Sequence, residues 1–241
     1  MKAKEITRRF LSLSDPLEAQ HLSRFFKTGE GEYGFGDKFL GIRVPVTRSI
    51  VKEYKNNVDI DTCSELIRSE WHEIRLAGFL FLIELYRTAK KQKDFTTAEE
   101  IVRVYISLIQ YGNNWDLVDL VCGYILGDWL TYRPQERHIL DKFAEMHHSL
   151  WHQRVAIVST LSLIRIGQYS DTLRISKKFL SHKHDLIHKA TGWMLREMGK
   201  RGGYDQLIAF LDEYAYTMPR TALRYSIERL PEELRRYYLK K

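Results

Sequence analysis

The chain has 241 residues, of which 44% are hydrophobic, enough for a sizeable core and too many for a disordered protein. Its net charge of +7 favours an acidic partner, with nucleic acid ahead of a membrane surface because no basic amphipathic anchor stands out. The two cysteines, Cys63 and Cys122, lie inside apolar helical patterns, which indicates buried thiols in a reducing compartment and not a disulfide framework.

The beginning of the chain has no apolar run of signal-peptide length, and no later stretch reaches the roughly 20 apolar residues of a membrane span. We therefore expect a cytoplasmic protein that does not enter the membrane. One continuous domain over residues 1–241 is the simplest prediction. We expect this domain to be a monomer.

Apolar residues recur with a period of 3.6 along most of the chain, which predicts helices. Between His72 and Lys90 they form a wide stripe, and polar residues interrupt it on the other side only. Similar patterns predict further helices at Phe95–Tyr111, Trp115–Leu130, Gln135–His147, Leu150–Ile166, Leu173–Leu180, Asp185–Met198, Tyr204–Tyr214 and Arg220–Leu230. Strand-type alternation is nowhere sustained, so the predicted fold is all-α.

Short breaks rich in Gly, Asn and Pro separate these helices, so we expect neighbouring helices to be antiparallel. Helix pairs recur about every 35 to 40 residues, a spacing typical of HEAT or armadillo repeats. The sequence therefore predicts a right-handed α-solenoid of antiparallel helix pairs with a concave, basic groove. The alternative is an irregular helical bundle.

Four residues stand where a packed helix would seldom carry them: Trp115, Asp119, Arg154 and Trp193. The first two are at positions i and i+4, which places an indole and a carboxylate on one helix face. Asp119, Arg154 and Trp193 are spaced by about one repeat, so equivalent helices of successive units would bring them to the same groove. An acid, a guanidinium and two indoles suit a cationic ligand beside a phosphate.

Each of these residues also has a structural interpretation. Core packing is the alternative for the indoles, and an ion pair is the alternative for the acid and the arginine. The neighbours of Trp193 favour a ligand, because Lys189, Trp193, Arg196 and Lys200 form a basic stripe separate from the apolar stripe of the same helix. We expect Lys189, Arg196 and Lys200 to bind the phosphates of a nucleic acid.

Four segments carry a family resemblance: GEYGFGDKFLGIRVP at 31–45, NWDLVD at 114–119, WHQRVAI at 151–157 and IHKATGWMLRE at 187–197. With them the chain resembles the AlkD family of DNA alkylation repair proteins. Members of that family are DNA glycosylases built from HEAT-like repeats that excise alkylated purines in base excision repair. The resemblance covers most of the chain.

The resemblance implies a role for five residues of this sequence. Asp119 matches the catalytic aspartate, Trp115 and Trp193 the indoles of the cleft, Arg154 its arginine, and Tyr33 an aromatic residue near the N-terminus. The implied partner is double-stranded DNA containing cationic N3- or N7-alkylpurines, which brings the protein to the nucleoid. The lesion would stay stacked in the duplex without base flipping, and no metal or organic cofactor is implied.

Two other functions remain open. One is a non-catalytic module of the same fold that binds branched or bent DNA, and the other is a protein-interaction scaffold. Both indoles occur together with the aspartate, which favours the enzyme.

Two further patterns carry little weight. The segment 29–34 matches G-x-G-x-x-G, but no strand precedes it, so we interpret it as a flexible loop. His182, His184 and His188 suggest zinc, yet no further ligand occurs at a suitable spacing. We therefore expect no metal site.

Overall fold

The computed structural model describes residues 2–240, and within them the fold is all-α, as predicted. The described part of the chain contains no strand, only one isolated β-bridge between Lys38 and Trp71. The helices, in chain order, are α1 (Lys2–Leu11), α2 (Pro16–Phe25), α3 (Val44–Tyr54), α4 (Ile60–Ile67), α5 (His72–Lys91), α6 (Phe95–Leu108), α7 (Trp115–Asp119), α8 (Asp128–Tyr132), α9 (His138–Ala144), α10 (Leu150–Val158), α11 (Thr160–Arg165), α12 (Ser170–Lys178), α13 (Asp185–Lys200), α14 (Tyr204–Tyr214), α15 (Arg220–Ser226) and α16 (Glu232–Lys240).

The chain forms two compact units, the first ending at Val121 and the second beginning at Cys122. In the first, α5 packs against α3, α4 and α6. In the second, α10 packs on α9 and α13, and α13 packs on α14 and α15. This succession of packed helices is compatible with an α-solenoid. The concave basic groove and the single continuous domain stay predictions.

Side-chain caps set where several helices begin. Asp15 accepts hydrogen bonds from the backbone N–H groups of Leu17 and Glu18, and a proline follows it at the first position of α2. Asp59 and Asp94 cap α4 and α6 in the same way. Each cap satisfies backbone donors that the helix itself leaves unpaired.

Helix α5 is the centre of the first unit. It has 20 residues, and most of them are buried on all sides, including three charged or polar side chains in its first turn. The predicted span His72–Lys90 is confirmed to within one residue. Cys63 packs beside it on α4, and the side chains of Cys63 and Cys122 are both buried, as expected.

The predicted helix Trp115–Leu130 is wrong as a single element. The observed helix α7 ends at Asp119, and a wide turn follows at Gly123–Gly127. A hydrogen bond from the Gly127 N–H to the Cys122 carbonyl (2.8 Å) closes this turn. The Ser162 hydroxyl donates to the Gly123 carbonyl (2.7 Å), which takes that carbonyl out of the regular helical pattern. Apolar periodicity continues through such a break, so the sequence pattern did not reveal it.

The predicted helix Leu150–Ile166 is also divided. Helix α10 ends at Val158 and α11 begins at Thr160, whose hydroxyl donates to the Ile157 carbonyl (2.7 Å). Hydroxyl bonding to a backbone carbonyl one turn earlier bends helices.

None of the helices within residues 2–240 combines the length and apolar character that a membrane span requires.

Close packing of α13 on α15 leads to a test of the second unit. A Cβ on Gly192 would lie 2.4 Å from the Ala222 carbonyl oxygen and 2.5 Å from the Tyr225 Cβ. We therefore expect Gly192→Ala to lower the free energy of unfolding by about 1–3 kcal/mol, measured by denaturant titration. Gly123→Ala is the control, because its Cβ would meet only the Ser162 hydroxyl at 3.7 Å. Equal stability of the two variants would contradict the packing described here.

Candidate functional site

Helix α7 carries two of the four residues that the sequence singles out. Asn114 precedes it, accepting a hydrogen bond from the Trp115 N–H (2.9 Å) and donating through Nδ2 to the Phe26 carbonyl (3.1 Å). The asparagine is fully buried, so these bonds replace bonds to water. Trp115 and Asp119 follow at the two ends of the helix, and both are half-buried.

Trp115 and Asp119 line a cavity of about 580 Å³ inside the first unit. Helices α2, α5 and α7 and the segment that enters α3 form its walls, which are mostly apolar. The Trp115 ring lies 5.4 Å from the Phe26 ring and 6.0 Å from the Phe25 ring. Phe25 is 57% exposed, so a large aromatic surface remains open to solvent beside the indole.

A row of rings continues from the indole toward α5. Phe26 stacks on Phe39 with ring centroids 5.1 Å apart, and Phe39 stacks on the imidazole of His72 at 4.3 Å. Stacked rings bury a large area and hold defined angles. The cavity therefore has an aromatic wall that ends on a buried histidine.

His72 lies between two carboxylates. Its Nδ1 donates to Asp37 Oδ2 (2.7 Å) and its Nε2 donates to Asp116 Oδ2 (2.9 Å), so the ring carries both protons. Burial opposes this charge, but the carboxylates of Asp116 and Asp37 outweigh burial and raise the pKa of His72 to about 9. The imidazolium is 2% exposed.

Arg75 completes this cluster. Its Nη2 donates to Asp37 Oδ1 (2.5 Å) and to Asn113 Oδ1 (2.8 Å). Burial opposes ionisation of Asp37, but the cations of His72 and Arg75 hold the pKa of its carboxyl below the ordinary value. We refer to Asp37, His72, Arg75 and Asp116 as the buried network. It contains two cations and two carboxylates, so its formal charges cancel.

Glu73 fixes the segment that enters α3. Its carboxylate accepts hydrogen bonds of 2.9–3.1 Å from the backbone N–H groups of Leu40, Gly41 and Ile42. Gly41 has φ +83°, and a Cβ there would lie 2.1 Å from the Asp15 carbonyl oxygen, so only glycine fits. This segment forms part of the cavity wall.

Tyr33 lies half-buried in the turns between α2 and α3, and the residues that line the cavity do not include it. The next residue, Gly34, packs so tightly that a Cβ would lie 2.5 Å from the Phe26 carbonyl oxygen and 3.0 Å from Asn114 Nδ2. The turn that carries the tyrosine is therefore held against the residues that precede α7.

Arg154 belongs to the second unit, on α10. It is 5% exposed, and its Nη1 donates to the Leu186 carbonyl (2.6 Å) at the start of α13. This bond ties together the two helices that carry Arg154 and Trp193, which pack on each other. The guanidinium is therefore part of the packing of the second unit.

Trp193 lies half-buried on α13 within the predicted basic stripe. Lys189 forms an ion pair with Asp185 (2.8 Å) and Arg196 forms one with Glu228, while Lys200 is exposed. Two of the three cations are thus paired with carboxylates. Their binding to phosphate stays a prediction.

The three histidines considered for zinc are engaged in local hydrogen bonds. His182 Nδ1 accepts from the His184 N–H (3.0 Å), its Nε2 donates to Gln153 Oε1 (3.0 Å), and His188 Nε2 donates to the His182 carbonyl (2.6 Å). Burial lowers the pKa of His182 and of His184. Within residues 2–240 no group of three or more potential metal ligands comes together.

The buried network and the role of Glu73 were not predicted from the sequence. One signal for them exists: His72, Glu73 and Arg75 stand at the start of a helix in which residues 76–83 are all apolar. Polar side chains at such positions must find buried partners, because a buried polar group without a hydrogen bond is costly. The identity of the partners, Asp37 and Asp116, could not be read from this pattern.

Comparison with known proteins gives consistent results. Residues 6–230 match the sequence profile of the family described as DNA alkylation repair enzyme, so the chain belongs to that family. A solved structure described as a predicted DNA alkylation repair enzyme from Enterococcus faecalis superposes with a TM-score of 0.71. It is 19% identical, with 91% of this chain and 97% of that chain covered, and it supports the fold. No curated protein sequence matches the chain significantly.

The charge state of His72 leads to a prediction about pH. A folded-state pKa raised from 6.5 to about 9 gives a stabilisation that is complete below pH 6.5 and is lost as the pH rises through about 9. We expect the free energy of unfolding to fall by about 3 kcal/mol over this window, and to fall less in His72→Gln. NMR of the imidazole should show a midpoint near pH 9 for His72, whereas His182 and His184 titrate below 6.5 in the same sample. A His72 midpoint at or below 6.5 would refute the charged network.

Proposed function

We propose that this DNA alkylation repair protein is a DNA glycosylase that excises positively charged N3- or N7-alkylated purines from duplex DNA, in base excision repair. The observation that carries the proposal is the position of Asp119 and Trp115 on α7, where both line one aromatic-walled cavity. A carboxylate beside an indole face suits a reaction in which positive charge moves from a base to a sugar.

The reaction requires few functional groups. An alkylpurine cation is already a good leaving group, so no metal or organic cofactor is needed. As the glycosidic bond breaks, its electron pair leaves with the base and the sugar becomes an oxocarbenium-like cation. Asp119 stabilises this cation and orients a water molecule, whose oxygen attacks the anomeric carbon and whose proton passes to the carboxylate or to solvent. The apolar walls around Asp119 strengthen its electrostatic effect.

The aromatic residues select for charge. An indole face attracts a cation by roughly 0.5 to 2 kcal/mol, so Trp115 and Trp193 each favour a cationic nucleotide over a neutral one. The lesion stays stacked in the duplex, and the protein approaches it through the DNA backbone. Tyr33 takes part in this approach, and Arg154 adds positive potential from its buried position.

The DNA phosphates bind to α13 through Lys189, Arg196 and Lys200. Exposed ion pairs contribute about 0 to 1 kcal/mol, so a phosphate can displace Asp185 or Glu228 at small cost. The sequence net charge of +7 adds a general attraction to DNA.

Asp119→Asn tests the catalytic role. Because the carboxylate stabilises the cationic transition state more than the bound substrate, we expect single-turnover base release to fall roughly tenfold or more. Duplex affinity should change little. The measurement is release of methylated purines from alkylated duplex DNA, with unmodified DNA alongside.

Asp61→Asn is the matched control, since it makes the same chemical change at an exposed position of the first unit. Circular dichroism must show that both variants fold. The proposal fails if folded Asp119→Asn releases base at the wild-type rate. It also fails if the wild type binds DNA tightly but releases no base from any cationic lesion, which would indicate a non-catalytic DNA-binding module.

A second prediction concerns the salt dependence of DNA binding. Replacing Lys189, Arg196 and Lys200 together by alanine should reduce the slope of log affinity against log salt by roughly 1 to 3, because fewer counterions are released. The control removes the same charge from α1, where Lys4, Arg8 and Arg9 are exposed. Equal slopes for the two triple variants would exclude α13 as the phosphate-binding helix.

A further inference from the structure

Helix α7 is too short to set its own direction. It has five residues, whereas isolated helices below about 12 to 15 residues are marginal in water. Leu117 and Val118 are buried and supply apolar contact. Such contact is not directional, so the direction of α7 depends on hydrogen bonds made by polar side chains in the helix and just before it, namely Asp116, Asn113 and Asn114.

Asp116 is the buried polar side chain of α7. Its Oδ2 accepts a hydrogen bond from His72 Nε2 (2.9 Å), and its Oδ1 is buried with no hydrogen-bond partner within residues 2–240. His72 therefore makes the side-chain hydrogen bond that compensates this carboxylate. A buried carboxylate that loses its cation is strongly destabilised and turns toward water.

His72 is itself held firmly. It lies on the long central helix α5, its ring stacks on Phe39, and its Nδ1 is bound by Asp37 from the turn after α2. Of the charged neighbours on its own helix, Glu73 is directed to backbone N–H groups and Arg75 to Asp37. The Nε2 proton is thus presented to α7 from a fixed point.

We propose that His72 is a positioning residue: through Asp116 it fixes the direction of α7, and with it the direction of the Asp119 carboxylate and the Trp115 indole. Asp116 is next to Trp115 in sequence and one helical turn before Asp119, so a rotation at this point moves both. The inference rests on the proposed function, because it concerns the residue that the reaction requires. A misplacement of about 1 Å at a reacting group can cost roughly 100-fold in rate.

The network offers a matched pair of variants. Asp37 and Asp116 are both buried, and they bind opposite nitrogens of the same imidazole. Asp116→Asn weakens the link to α7, whereas Asp37→Asn weakens the link to the turn after α2. If the histidine only stabilises the fold, the two variants should behave alike. If it positions α7, Asp116→Asn and His72→Gln should alter the site more than Asp37→Asn does.

Amide hydrogen exchange reports on α7 without DNA. The Leu120 N–H bonds to the Asp116 carbonyl (3.1 Å), and the Ala98 N–H on α6 bonds to the Asp94 carbonyl (3.1 Å). We expect exchange at Leu120 to accelerate roughly tenfold or more in Asp116→Asn and His72→Gln, with Ala98 little changed. In Asp37→Asn, exchange at Leu120 relative to Ala98 should accelerate much less, because the hydrogen bond between His72 and Asp116 remains.

Single-turnover base release gives the second readout. Asp116→Asn and His72→Gln should each lower the rate roughly tenfold with duplex affinity within about twofold, and the loss of rate in Asp37→Asn should be several-fold smaller than in Asp116→Asn. The double variant of His72 and Asp116 should be no slower than the slower single variant, because both changes break one link.

These readouts separate the two hypotheses. Equal loss of rate in Asp37→Asn and Asp116→Asn, or unchanged exchange at Leu120 in Asp116→Asn, overturns the positioning role. A wild type that releases no base refutes the glycosylase instead, and the exchange experiment then decides the positioning role by itself. If His72→Gln does not fold by circular dichroism, the two aspartate variants decide, since asparagine has nearly the volume of aspartate.

Discussion

A doubly protonated imidazole between two carboxylates is the interaction on which the first unit depends. Burying His72 as a cation is unfavourable unless both ring protons are bound, and Asp37 and Asp116 bind them. The guanidinium of Arg75 donates to Asp37 and supplies the second positive charge of the cluster. The turn after α2, helix α5 and helix α7 are far apart in sequence, and this cluster joins them through one side chain. Removing one partner from such a buried pair lowers the free energy of unfolding by about 3–5 kcal/mol, so the folded chain strongly favours this arrangement.

The cavity follows from that arrangement. Once the network holds α7 beside α5, the rings of Trp115, Phe26 and Phe39 form a continuous wall toward His72. Glu73 then closes the side formed by residues 40–42 through their backbone N–H groups. The walls are mostly apolar, and the carboxylate of Asp119 lies among the lining residues. A fixed charge in such surroundings acts on a developing cation more strongly than the same charge in water.

Periodicity predicted both ends of α5 and of α14 to within a residue. It failed at α7, because apolar spacing runs through the turn at Gly123–Gly127 without interruption. The pair Trp115 and Asp119 was predictable since both lie on one short helix. The network was not, because a sequence shows that a buried charge needs a partner but does not show which distant residue supplies it.

Charged side chains in this protein therefore have two different roles, and burial separates them. Those of the buried network are each paired with an opposite charge and removed from water, so exchanging a partner is costly and they hold structure in place. The ion pairs of Lys189 and Arg196 on α13 are partly exposed, so a competing phosphate can replace their carboxylates. Arg154 belongs with the buried charges, since it is buried and donates a hydrogen bond to a backbone carbonyl. Lysine and arginine side chains that bind DNA should thus be sought in ion pairs at the surface, where a phosphate can replace the carboxylate. Charged side chains that orient the site should be sought where they are buried and cannot exchange partners.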